Sequence, residues 1–152
     1  MVQVNGVAHT FITAGDFEAS RAFYSRLLPF LGMQEVADSA DTYYCVGGRT
    51  GFGIRRPDAD LKDVKYAQFR PGSLHHQCWR VRSTEEVDEV HAFLVSIGAR
   101  IVHAPQQDAF APGYYSVLFE DPDGIRLEVN HVPGRGLFDT TTQRVGASLD
   151  DR

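Results

Sequence analysis

From Ile125 to Asn130 the chain alternates strictly, with Ile125, Leu127 and Val129 apolar and Arg126, Glu128 and Asn130 polar. A period of two is that of a β-strand with one face in an apolar layer and the other turned away from it. Just ahead stands Asp121-Pro122-Asp123-Gly124, residue types that suit positions i to i+3 of a type I turn. The pattern predicts a turn, then a strand, with Glu128 on the polar face.

Read from the beginning, Val7 to Thr13 is β-branched and aromatic and predicts a strand around His9; Gly15 and Asp16 close it, and Asp16 suits a helix N-cap. From Phe17 the spacing is helical, with Ala19, Ala22, Phe23, Leu27 and Leu31 returning to one side; Pro29 should end or distort this helix a turn early, and Gly32 should stop it. Met33 to Ala37, Thr42 to Val46 and Phe52 to Arg56 follow as short strands.

The order then starts again. Leu74 to Val81 predicts a strand, and Ser83 with Glu86 has capping-box spacing before a helix striped by Val87, Val90, Phe93, Leu94 and Ile97 and ended by Gly98. Strands over Ile101 to Ala104, Tyr114 to Phe119 and Ile125 to His131 complete the set. His9 to Gly32 spans 23 positions and His76 to Gly98 spans 22, so both halves keep the same internal distances. The chain reads as a single α+β domain over 1–152, built as a tandem βαβββ repeat. Module one covers about 5–56, a linker 57–71, module two 72–132, and a tail 133–152 carries Leu137 and Phe138. A helix covers only one face of each sheet, so the two sheets are expected to form a cup, an incompletely closed mixed β-barrel with its helices outside.

Composition narrows the class. A chain of 152 residues, 43% hydrophobic and 23% charged, is an ordinary globular domain that folds without a disulfide or metal staple. Its net charge of −5 gives no electrostatic reason to bind nucleic acid or an anionic membrane, so a small molecule is the expected partner. Two isolated cysteines, Cys45 and Cys78, exclude a disulfide framework and a Cys-type zinc site. With neither a signal-peptide pattern nor a membrane-length apolar run, the expected setting is cytoplasmic.

The candidate chemistry lies on the polar faces. His9 and His76 hold equivalent positions of the repeat, while adjacent His75 should point to the opposite side of the strand. Glu128 follows His76 by 52 residues, in the last strand of the second half. Two imidazoles and a carboxylate converging in a cup would hold a divalent metal (Fe, Mn, Ni, Co or Zn) and leave coordination positions for substrate. Arg126 and Asn130 flank Glu128 on its face, Tyr114 and Ser116 are expected beside them, Arg80 flanks His76, and Phe11 shares the side of His9. These six are the candidate substrate-binding residues, and Glu128 doubles as the catalytic candidate.

With its paired βαβββ repeats, His9 and His76, Phe23-Tyr24 with Leu31-Gly32, and Asp121-Pro122-Asp123-Gly124 leading to Glu128, the chain resembles the vicinal oxygen chelate superfamily. That superfamily includes glyoxalase I, methylmalonyl-CoA epimerase, extradiol dioxygenases, fosfomycin-resistance transferases and bleomycin-resistance proteins. The resemblance covers about residues 5 to 135 and implies a cup built within one chain or shared across a homodimer. It implies a metal-dependent lyase, isomerase or ring-cleaving dioxygenase acting on a small substrate chelated through vicinal oxygens. The alternative is a metal-free binding protein of the bleomycin-resistance type; a purely structural dimerisation module is the third reading.

Departures from the family pattern bear on the reaction. The strand Gly51-Phe52-Gly53-Ile54-Arg55-Arg56 offers no Glu or Gln as the fourth ligand of glyoxalase I and the epimerase, and Asp58 falls beyond it. Leu118 replaces the tyrosine expected of extradiol dioxygenases, and no lysine of the fosfomycin-transferase kind follows Lys65.

Overall fold

A computed structural model of the chain describes residues 1–134; the predicted tail, with Leu137 and Phe138, lies from residue 135 on outside the described residues. The element order is β1 (Thr10–Thr13), α1 (Phe17–Phe30), β2 (Gln34–Asp38), β3 (Thr42–Gly47), β4 (Thr50–Arg55), β5 (Gln77–Arg80), α2 (Thr84–Ser96), β6 (Arg100–Gln107), β7 (Tyr115–Glu120) and β8 (Arg126–His131). This is the predicted α+β architecture of two tandem βαβββ modules. Among the described residues two compact units are formed, one from 1–67 with 121–124, the other from 68–120 with 125–134. No helix among the described residues is long and apolar enough to cross a membrane.

In the first unit the sheet runs β1-β4-β3-β2, with β1 parallel to β4 and the other pairs antiparallel. Asp16 caps α1 by accepting from the Ala19 amide at 3.0 Å. The buried side of α1 is Phe17, Ser20, Tyr24, Leu27 and Leu28, a stripe rotated from the predicted one; Ala22 is exposed. Counting only apolar residues missed Ser20 and Tyr24, whose hydroxyls are satisfied inside the unit. The helix runs through Pro29 to Phe30, because a proline in the last turn forfeits only one backbone hydrogen bond. Gly32, at φ 78°, then allows the Met33 amide to reach back to the Leu28 carbonyl at 3.0 Å.

The polar partners of the buried side of α1 come from the turn 121–124. The Gly124 amide closes it on the Asp121 carbonyl at 3.0 Å, as the sequence predicts. The Asp123 carboxylate accepts from the amides of Gly15 (2.7 Å) and Asp16 (3.1 Å), at the positive end of α1. Buried Asp121 accepts from the Tyr24 hydroxyl at 2.9 Å.

In the second unit the sheet runs β5-β8-β7-β6, with β5 parallel to β8. The Ser83 hydroxyl accepts from the Glu86 amide at 3.2 Å, but the Glu86 carboxylate accepts from the Arg82 amide (2.6 Å), one residue ahead of the predicted reciprocal bond. Helix α2 buries Val87, Val90 and Leu94 and packs on β6, β7 and β8. The Tyr115 hydroxyl donates to Asp88 of α2 at 2.9 Å, which marks the helix-covered face of the sheet. By alternation Val117, Phe119, Leu127 and Val129 share that face, and all four are buried. Ser116, Leu118, Glu128 and Asn130 turn the other way.

Two predictions follow from the bonds of the 121–124 turn. Asp123→Ala should lower unfolding stability in urea by about 1–2 kcal/mol, the usual cost of losing a charged cap; a change within 0.5 kcal/mol by the same measure would mean that water replaces these bonds. Burial, then the charge of Asp121, push the Tyr24 hydroxyl well above its ordinary value of 10.0. The unfolded chain therefore gives up this proton first, and stability present below about pH 10 falls as pH rises further. Urea melts between pH 8 and 11 should show this fall, and Tyr24→Phe should make it shallower.

Candidate functional site

Strand register sets the immediate backbone neighbours of Glu128. In β8, Glu128 pairs with Cys78 of β5 on one side and Leu118 of β7 on the other, and Asn130 pairs with Arg80 and Ser116. The side chains on this face point away from α2. Although its face carries no helix, Glu128 is only 1% exposed. A carboxylate this buried costs several kcal/mol unless it is paired and hydrogen-bonded.

Tyr114, just ahead of β7, donates its hydroxyl to Glu128 Oε1 at 2.6 Å. Burial first, then the neighbouring Cys78 and the bond to Glu128, push this phenol strongly up, so it remains a donor at any ordinary pH. Asn130 is 6% exposed, and its Oδ1 has no hydrogen-bond partner among the described residues.

The other oxygen of Glu128 faces a histidine. His76 Nε2 lies 3.8 Å from Glu128 Oε2, and the His76 side chain is 36% exposed. That separation is too long for a hydrogen bond and falls inside the span two ligands of one metal keep when each bond is about 2.0–2.2 Å. Its Nδ1 is 2.8 Å from Nδ1 of His75. The expected opposition of His75 and His76 across a strand does not occur, because β5 begins only at Gln77 and the two rings precede it. β1 likewise begins at Thr10, so His9 and His76 each stand one residue before the first strand of a sheet.

His9 belongs to the first unit, exposed, with its ring edge-on to Phe11 at 5.9 Å. Phe11 stacks on Tyr44 at 4.9 Å and is 42% exposed. Both rings cover Gly53, which pairs with Phe11 in β1 as Glu128 pairs with Cys78 in β5. A Cβ at Gly53 would lie 2.5 Å from the Phe11 ring and 2.9 Å from that of Tyr44. The first unit thus has no carboxylate at the position of Glu128 and no room for one.

The remaining predicted residues already have partners. Arg80 donates to the Val132 carbonyl at 2.5 Å, and Ser116 donates to Asp108 at 2.5 Å. Arg126 pairs with Glu120 at 3.5 Å and keeps one buried Nη1 without a partner among the described residues. Asp108, His75 and the carboxylate-holding role of Tyr114 escaped the sequence reading. Alternation assigns faces, whereas these contacts depend on loop paths that carry no period.

The donor chemistry of His76 and Glu128, one imidazole nitrogen and one carboxylate oxygen, suits a divalent transition metal. Among the described residues no three His, Cys, Asp or Glu side chains form a cluster ready to hold one.

Comparison with known proteins places the chain in a family. The model of the Glyoxalase/Bleomycin resistance protein/Dioxygenase superfamily matches residues 6–129. YqjT of Bacillus subtilis is 28% identical over 129 residues, covering 80% of this chain and 94% of that protein. The metallothiol transferase FosB of Shouchella clausii is 25% identical over 127 residues, covering 84% and 80%. The crystal structure of a glyoxalase-like protein from Bacillus halodurans superposes with a TM-score of 0.73 at 26% identity, covering 84% of this chain and 96% of that one. The chain belongs to the Glyoxalase/Bleomycin resistance protein/Dioxygenase superfamily.

Proposed function

We propose that this protein is a metal-dependent enzyme, a lyase, isomerase or dioxygenase, acting in the cytoplasm as a homodimer on a small oxygenated substrate. The reading rests on one observation above all: Glu128, nearly fully buried, is held at one oxygen by Tyr114 and turns the other toward His76 Nε2. In this reading His76 and Glu128 hold a divalent ion (Fe, Mn, Ni, Co or Zn), and His9 is the third ligand. Bound there, the ion supplies Lewis acidity toward a substrate held through two vicinal oxygens.

The chain's own residues do the rest. Tyr114 keeps Glu128 in one rotamer and occupies the oxygen that faces away from His76. Asn130 presents its Oδ1 as an acceptor for a substrate hydroxyl or N–H, and Arg126 presents Nη1 to a substrate oxygen. The named activity of FosB, metallothiol transfer, supports metal dependence rather than a particular reaction.

A second reading, a metal-free small-molecule binding protein of the bleomycin-resistance type, is favoured by the Phe11–Tyr44 stack. It offers an apolar surface suited to sequestering a ligand.

Metal analysis separates the two. Inductively coupled plasma mass spectrometry on untagged protein, purified without chelator, should find about one equivalent per chain, the stoichiometry of a single site. His76→Ala and Glu128→Ala should lose it, while His75→Ala should still fill at saturating metal. Protein without metal that takes none up at neutral pH, yet binds a small ligand insensitively to chelators, would move the assignment to the binding protein.

A further inference from the structure

His76 does not stand alone. Gln68 Nε2 lies 3.2 Å from His75 Nε2, His75 Nδ1 lies 2.8 Å from His76 Nδ1, and His76 Nε2 faces Glu128. The residues form a line from Gln68 through two imidazoles to the buried carboxylate, all within the second unit. Phe69 packs edge-on to His75 at 5.3 Å and helps set that ring's plane.

The contact between the two Nδ1 atoms imposes a rule. At 2.8 Å it is a hydrogen bond, so when both rings are neutral one nitrogen carries a proton and the other a lone pair. The tautomer of His76 is therefore opposite to that of His75. With Gln68 donating to His75 Nε2, the proton of His75 sits on Nδ1, His76 accepts at Nδ1, and its own proton sits on Nε2.

A metal requires the reverse, because ligation at His76 Nε2 needs a lone pair there. We infer that His75 is a positioning residue that sets the ring tautomer of His76, and that metal binding reverses both tautomers together. In that change the His76 Nε2 proton leaves to solvent, the His75 Nδ1 proton passes to His76 Nδ1, and His75 Nε2 takes a proton from solvent. The pair gains and loses one proton, and its charge is constant. Gln68 follows by turning its amide so that the oxygen accepts from His75 Nε2. The inference rests on the proposed ligand role of His76; the coupling of the two rings rests on their contact alone.

Ring nitrogen and carbon-bound proton correlations, recorded by NMR on uniformly 15N-labelled protein near pH 8, read each tautomer directly. At that pH unperturbed imidazoles are neutral. Metal-free wild type should show His75 protonated at Nδ1 and His76 at Nε2, and Zn2+ should exchange both assignments. His75→Leu should leave His76 a mixture of tautomers and weaken Zn2+ binding about 10–100-fold, the usual effect of losing such a partner. His75→Asn, which places an amide near the former Nδ1, should restore both. Matching tautomers for the two rings in wild type, an unaltered His76 in His75→Leu, or no rescue by Asn would overturn the inference. Opposite tautomers in a protein that takes up no Zn2+ would uphold the ring coupling, overturn the metal-driven reversal and refute the metal reading of the site.

Discussion

The turn ahead of the last strand is held by two carboxylates. Asp121 accepts from Tyr24, and Asp123 accepts from the amides of Gly15 and Asp16, so the 121–124 turn is tied to α1 by three hydrogen bonds of 2.7–3.1 Å. A β-strand slipped by one residue exchanges its faces. With Gly124 held in this turn, Ile125 is buried and Glu128 falls on the face away from α2. Within its own sheet the buried carboxylate is placed by pairing with Cys78 and Leu118.

Parallel pairing of the first and last strand in each sheet does the second part of the work. In the second unit it sets Cys78 beside Glu128 and brings His76, just before β5, to the same edge of the sheet. Tyr114 enters from the start of β7. Two strands, β5 and β7, therefore bring their groups to one carboxylate on a third, β8, and the connection between β6 and β7 adds Asp108 as a partner for Ser116. The 104–113 stretch continues β6 to Gln107 and turns back at an Asp108-to-Tyr114 backbone bond of 2.9 Å.

The repeat, the two helices and the faces of the strands were legible because each has a period, and both helix stops because glycine at positive φ is a local requirement. The polar face around Glu128 was legible for the same reason. Strand ends were not: β1 and β5 are shorter than their β-branched and aromatic runs, which left His9, His75 and His76 ahead of the strands. Helix α1 was placed correctly and its inner side wrongly, since Ser20 and Tyr24 are buried through partners about a hundred residues away. Long-range partners have no local signature. The engagement of Arg80 by a backbone carbonyl was invisible for that reason too.

The two halves of the repeat solve one packing problem in opposite ways. At the position of Glu128 the first sheet has Gly53, and the space a side chain would fill is taken by Phe11 stacked on Tyr44. That filling is apolar and needs no partner. The second sheet places a carboxylate there, and its burial requires the Tyr114 hydroxyl at 2.6 Å and a facing imidazole. A stable sheet does not need this second solution, as the first unit demonstrates within the same chain. The extra cost of burying Glu128 is the physical reason to propose a function for it, and the structural asymmetry of the repeat follows from a glycine in one sheet and a glutamate in the other.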